Sequence, residues 1–142
     1  MTVQPTAAIA APSPLLSQSF MAFDFGTRRV GVATGNAVSR SATALRTISV
    51  EGDARFDAIG KLIDEWQPDA LVVGIPFHPD GAVHENTLRA QRFARQLQGR
   101  FRLPVHEVDE RYSTVEAQSS GAGDLDAASA AIILEQFLGN LK

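Results

Sequence analysis

One stretch constrains this chain more than any other: Ala70-Leu71-Val72-Val73-Gly74-Ile75-Pro76 carries no polar side chain. A continuous apolar run of this length is typical of a central strand in a parallel sheet, covered on both faces. Parallel neighbours need crossover connections, normally helices. Helical spacing brackets the run on both sides. Phe56, Ile59, Leu62, Ile63 and Trp66 recur as a buried stripe before Pro68, with Asp53 as the expected N-cap. Downstream, a helix is expected over about Val83–Arg100, with Ala90, Phe93, Ala94, Leu97 and Phe101 on one side and Arg89, Arg92 and Arg95 opposite.

Three further strands precede the first helix. Phe20-Met21-Ala22-Phe23-Asp24-Phe25-Gly26 reads as a buried strand ending in a turn, Val30-Gly31-Val32-Ala33-Thr34-Gly35 as a second, and residues 43–50 as a third. These three form an antiparallel meander, while Pro104-Val105-His106-Glu107-Val108-Asp109-Glu110 supplies a last strand parallel to the central one. Ser113-Thr114-Val115-Glu116 has the form of a capping box, and a final helix starts near Asp126 with Ala130, Ile133, Leu134 and Phe137 on its buried face. The fold class is therefore α/β: a mixed five-stranded sheet, three antiparallel strands plus two parallel, with helices packed on it. Residues 1–19 hold three prolines and no charge, and are expected to be a flexible tail on a single domain spanning 20–142.

Composition removes whole classes of function. No cysteine is present, which excludes disulfide scaffolds, thiol nucleophiles and thiolate metal sites. No apolar run nears the roughly 20 residues of a membrane helix. Sixteen acidic against thirteen basic residues give a net charge of −3, which argues against a non-specific nucleic-acid coat. It leaves room for an enzyme whose own carboxylates bind cations.

Three places could carry chemistry. Asp24 sits inside an apolar strand, where an ionised carboxylate is costly unless paired or bound to metal; the alternative is a simple turn residue. Asp109-Glu110-Arg111 closes the last strand, and ligands gather at the carboxyl ends of strands in open α/β sheets; the alternative is a solvated strand terminus. Asp126 opens the last helix, and on its own it reads as a helix-cap or first-turn acid. His78, His84 and His106 lack metal-ligand spacing, and Trp66 reads as core packing. Arg89, Arg92 and Arg95 read as a solvated face supported by a Glu85–Arg89 pair.

Taken together, the stretches AFDFGTRRVGVATG, EWQPDALVVGIPFHPDG, DERYSTVEAQ and DAASAAIILEQFL resemble the bacterial YqgF family of pre-16S rRNA nucleases, also described as Holliday-junction-resolvase-like. The resemblance covers nearly everything from residue 20 onward. It implies an RNase H-like fold and metal-dependent endonucleolytic cleavage of phosphodiester bonds, in 5′-end processing of pre-16S rRNA during ribosome biogenesis. By it, Asp24, Glu110 and Asp126 match the catalytic carboxylates and would hold one or two divalent ions; oxygen-only ligands favour Mg²⁺ or Mn²⁺. Arg28, Arg29 and Arg111, with Gly26, Thr27 and Ser113, are expected against substrate phosphate, and Gly74, Pro76 and Gly81 match the loop after the central strand. The implied partners are nucleic acid, pre-rRNA ahead of branched DNA, and ribosomal particles. The implied compartment is the cytoplasm, with no membrane partner; monomer and homodimer both stay open. Two other readings stand beside it: a Holliday-junction resolvase on branched DNA, and a non-catalytic nucleic-acid-binding or ribosome-assembly module. The chain departs from the family in one place, where Ser119–Leu125 is short and holds no Lys or Arg.

Overall fold

The structure, a computed structural model, describes residues 18–78, 80–110 and 125–141. Its elements run β1 (Ser19–Phe25), β2 (Val30–Asn36), β3 (Ser41–Ile48), α1 (Gly52–Trp66), β4 (Ala70–Ile75), α2 (Glu85–Phe101), β5 (Val105–Asp109) and α3 (Leu125–Gly139). The sheet order is β3-β2-β1-β4-β5, antiparallel across the first three strands and parallel from β1 to β4 and β4 to β5. The expected mixed sheet is therefore the observed one.

Successive strand residues project to opposite faces, and the two faces differ. On one, Phe20 and Ala22 of β1 with Ala70 and Val72 of β4 meet Ile133, Leu134 and Leu138 of α3. On the other, Met21, Phe23, Val30, Val32, Leu71, Val73 and Ile75 meet Phe56, Ile59 and Leu62 of α1 and Phe93, Ala94 and Leu97 of α2. The β4 run is buried throughout because both layers cover it.

Four details depart from expectation. Strand β1 starts at Ser19, inside the expected tail, where the Asp69 carboxylate accepts from the Ser19 backbone N–H (2.8 Å) and hydroxyl (3.3 Å). Helix α1 starts one residue before Asp53. Glu51 is its N-cap, with no side-chain cap bond, and Asp53 instead pairs with Arg100 at 3.2 Å. Trp66 is not core: at the last residue of α1, just before left-handed Gln67, it is 45% exposed and lines a shallow recess with Ser19, Phe20 and Thr34. Arg55, in contrast, is buried. Residues 1–17 of the expected 1–19 tail and the expected capping box at 113–116 lie outside the described residues.

Helix α2 begins at a capping box built on His84. Its ring nitrogen Nδ1 accepts from Asn86 N–H (3.0 Å), and Thr87 Oγ1 accepts from His84 N–H (3.1 Å) while donating to the Pro76 carbonyl. His106 stands between Phe20 and Phe137, and burial pushes its imidazole below the usual histidine range. Both histidines are structural, as the sequence suggests.

A carboxylate cluster at the carboxyl end of β1

Asp24 belongs to the α3 face, with the same parity as Phe20 and Ala22. Its cross-strand partners are Gly31 on β2 and Gly74 on β4, so no side chain flanks it on either neighbouring strand. The two glycines let other groups come close. A Cβ on Gly31 would lie 1.7 Å from the Asp126 carbonyl oxygen and 2.8 Å from the Ala127 nitrogen, so the start of α3 rests directly on β2. A Cβ on Gly74 would lie 2.4 Å from Ile133 Cδ1 and 2.9 Å from Glu110 Oε2. The recess beside Asp24 is thus a consequence of two missing side chains.

Into that recess come three polar groups from separate elements. Glu110, just beyond β5, is 6% exposed and hydrogen-bonds Asp24 through its side chain; its backbone N–H donates to Ile75 O at 3.2 Å. Ser129, buried on the first turns of α3, donates its hydroxyl to Asp24. Asp126, one turn earlier on the same helix, places a second negative charge nearby. Burial, followed by the Asp126 charge, pushes the Asp24 carboxyl up to about 6, against the opposing pull of the Glu110 and Ser129 hydrogen bonds. The Glu110 bond favours the ionised form of Asp24, which accepts it.

The turn after β1 forms the outer wall. Gly26 sits where a Cβ would meet the Arg29 carbonyl oxygen at 2.6 Å, so the turn is as tight as a backbone allows. Arg29 Nε meets Asp126 Oδ2 at 3.0 Å, with the Arg29 side chain 64% exposed. Gly26, Thr27, Arg28, Arg29 and Asp126 together line a recess of about 460 Å³. Among the residues expected to touch phosphate, Arg28 and Arg29 are therefore at this wall; Arg111 and Ser113 lie outside the described residues.

Two contributors escaped the sequence reading. Arg55 holds the wall from behind: Nε donates to Val50 O (3.0 Å), Nη2 to Thr27 O (3.1 Å), and the guanidinium lies 5.7 Å from the Phe25 ring centre. The spacing Arg55, Ile59, Leu62 puts this arginine on the apolar stripe of α1, a legible sign of a buried cation. Ser129 follows Asp126 by three residues, which places both on one face of α3.

The donor set is entirely oxygen, the chemistry that suits a hard divalent cation rather than zinc. Among the described residues, no three Asp, Glu, His or Cys side chains are arranged as a ready-made metal site. Asp126 instead has one carboxylate oxygen paired with Arg29 at the mouth of the recess.

The RuvX family profile, described as Holliday junction resolvase, matches residues 18–140. The chain belongs to the RuvX family. It is 68% identical over 124 residues to a protein of Polaromonas sp. (strain JS666) named "Putative pre-16S rRNA nuclease", covering 87% of this chain and 90% of that one. It is 55% identical over 130 residues to a Paraburkholderia phymatum protein of the same name, covering 87% and 86%. Among solved structures, Thermus thermophilus RuvC in complex with a Holliday junction substrate shares the fold, with a TM-score of 0.51 at 15% identity over 85% of this chain and 93% of that one. This RuvX-family chain is thus a nuclease by kinship, with an RNase H-like fold. No helix among its described residues is long and apolar enough to cross a membrane.

Proposed function

We propose that this chain is a metal-dependent endonuclease of the bacterial cytoplasm that processes the 5′ end of pre-16S rRNA, and that Asp24, Glu110 and Asp126 are its catalytic carboxylates. The observation that carries this reading is the gathering of carboxyl groups from β1, the end of β5 and α3 beside a recess walled by Arg28 and Arg29. The 68% identity to a relative with the pre-16S rRNA name supports the RNA substrate.

Asp24 and Glu110 would hold the cation, with Asp126 completing the set. A bound Mg²⁺ or Mn²⁺ supplies a water of lowered pKa and neutralises charge on the scissile phosphate. The chain itself does the rest. Ser129 orients the Asp24 carboxylate by its hydroxyl. Arg29, exposed at the mouth, exchanges its Asp126 partner for a substrate phosphate oxygen, and Arg28 and Arg111 add phosphate contacts. Gly26 and Thr27 offer a tight turn against which the sugar–phosphate backbone can lie, and Ser113 lies in the motif that follows Glu110.

The test is cleavage of three labelled substrates: the 5′ leader of pre-16S rRNA, linear duplex DNA and a four-way DNA junction, each with Mn²⁺, Mg²⁺ or EDTA. The RNA should be cut, only with a divalent ion, and Asp24→Asn should fall roughly a hundredfold or more, the order seen when a group aimed at transition-state charge is removed. Wild-type rates in Asp24→Asn would remove the carboxylate from the mechanism. Cutting of the junction but not the RNA would favour the resolvase reading, to which the RuvX profile description points.

A further inference from the structure

The face of the sheet turned away from Asp24 carries a second recess that the carboxylate chemistry does not use. A cleft of about 270 Å³ opens between the first turns of α1 and the middle of α2, with Phe25, Arg55, Arg89, Arg92, Phe93 and Gln96 in its lining. Its floor is aromatic: the Phe25 and Phe93 rings lie 5.0 Å apart, tilted by 37°. Its rim is cationic. Arg89 is held outward by Glu85 at 2.7 Å, whereas the side chains of Arg92 and Gln96 make no hydrogen bond or ion pair with any described residue. The lining holds three guanidinium groups, of which Arg55 feels the Glu51 charge and Arg89 pairs with Glu85.

The cleft and the carboxylate cluster back onto one another across the end of β1. Phe25 follows Asp24 directly, and successive strand residues face opposite ways. Arg55 joins the two, since it fixes the Thr27 carbonyl of the Asp24-side wall and stands over Phe25. A strand of nucleic acid lying at Asp24 therefore reaches the cleft by passing over the Gly26–Arg29 turn. A base-paired nucleotide is held in its stack and must be extruded to enter such a pocket; an unpaired one need not be.

We infer that this cleft receives one unpaired nucleotide of the substrate next to the phosphate at Asp24, its base against Phe25, its phosphate on Arg89 and Arg92, and its edge within reach of the Gln96 amide. Aromatic stacking beside arginine is the usual composition of single-stranded RNA sites. The inference rests on the proposed function, because the nucleic acid must first lie at Asp24. It adds a requirement which that function alone does not make: a single-stranded position at a fixed distance from the cut.

Binding in EDTA tests it without cleavage. Wild type, Arg92→Glu and Gln96→Trp, which fills the cleft, are titrated by fluorescence anisotropy with an RNA hairpin bearing an unpaired 5′ flank. The same hairpin is then used with each flank position made abasic in turn, and with the flank removed. One abasic position should weaken wild-type binding about tenfold, the lower half of what one base–aromatic stack contributes. In both variants that position should lose its effect to within about twofold, while binding of the blunt hairpin stays unchanged. If no position stands out in the wild type, or the effect survives in both variants, the cleft takes no nucleotide. Equal loss on blunt and flanked hairpins would reduce Arg92 to a general charge and overturn the inference as well. Cleavage with no abasic effect sinks the cleft alone; absence of both binding and cleavage on every RNA and DNA sinks the proposed function with it.

Discussion

The two faces of the sheet are built on opposite rules. The α3 face is made by subtraction: Gly31 and Gly74 flank Asp24, and the helix that covers them opens with Leu125-Asp126-Ala127-Ala128-Ser129-Ala130. The α1/α2 face is made by addition, with the rings of Phe23, Phe25 and Phe56 all packed against Phe93. Small residues bring backbones together and leave polar groups crowded in a recess. Large ones fill space, and a cleft lies between the first turns of α1 and the middle of α2. The first arrangement suits charge chemistry and the second suits recognition of a flat ring.

The sharpest way to break the first face is Gly31→Ala. Its Cβ would collide with helix backbone, which cannot swing aside as a side chain can. The expected loss is about 3–5 kcal/mol, the range of severe core disruption, read from urea unfolding midpoints. A change below about 1 kcal/mol would mean that α3 does not rest on β2 as described.

Next comes the pH response of the metal-free protein. Asp24 rises from 3.8 unfolded to about 6 folded. Between those values the folded chain keeps a proton that the unfolded chain has lost, so stability falls as pH rises through the window. Above it the cost is complete, on the order of 2–3 kcal/mol. Asp24→Asn should be more stable than wild type at pH 7 in EDTA and should lack that decline, even as it loses cleavage. Parallel pH curves for the two proteins would contradict the crowding around Asp24.

Arg29→Ala should have a smaller effect. It removes one exposed phosphate contact, so affinity should weaken for all sequences alike and the log–log salt slope should flatten by about 0.7 to 0.9. An unchanged slope with altered sequence preference would assign Arg29 to base reading instead.

The smallest effect, and of opposite sign, belongs to the second face. A Cβ on Gly99, in α2, meets nothing within 4 Å. Gly99→Ala should therefore stabilise by about 0.5–1 kcal/mol through helix propensity alone. Glycines matter here by where they stand, and this pair of substitutions, Gly31 against Gly99, measures that directly.

Much of this was legible in one dimension. Periodicity and the apolar run at 70–76 dictate strands, helices and their parallel or antiparallel pairing, because burial patterns are written residue by residue. Asp24 stands out because an acid within an apolar strand is anomalous wherever the chain goes, while Glu110 and Asp126 join it only through the resemblance to the YqgF family. Tertiary structure alone decided what surrounds them. Gly31 and Gly74 become a recess only once they are paired with Asp24, across separations of 7 and 50 residues. Arg55 becomes a brace for the Thr27 turn only when α1 lies over β1. Trp66 keeps the helical spacing of the core stripe and is still 45% exposed, because spacing fixes a face of the helix and not what packs against each of its turns. Propensity and pattern are local properties of the chain; close approach is a property of pairs, and pairs are chosen by the fold.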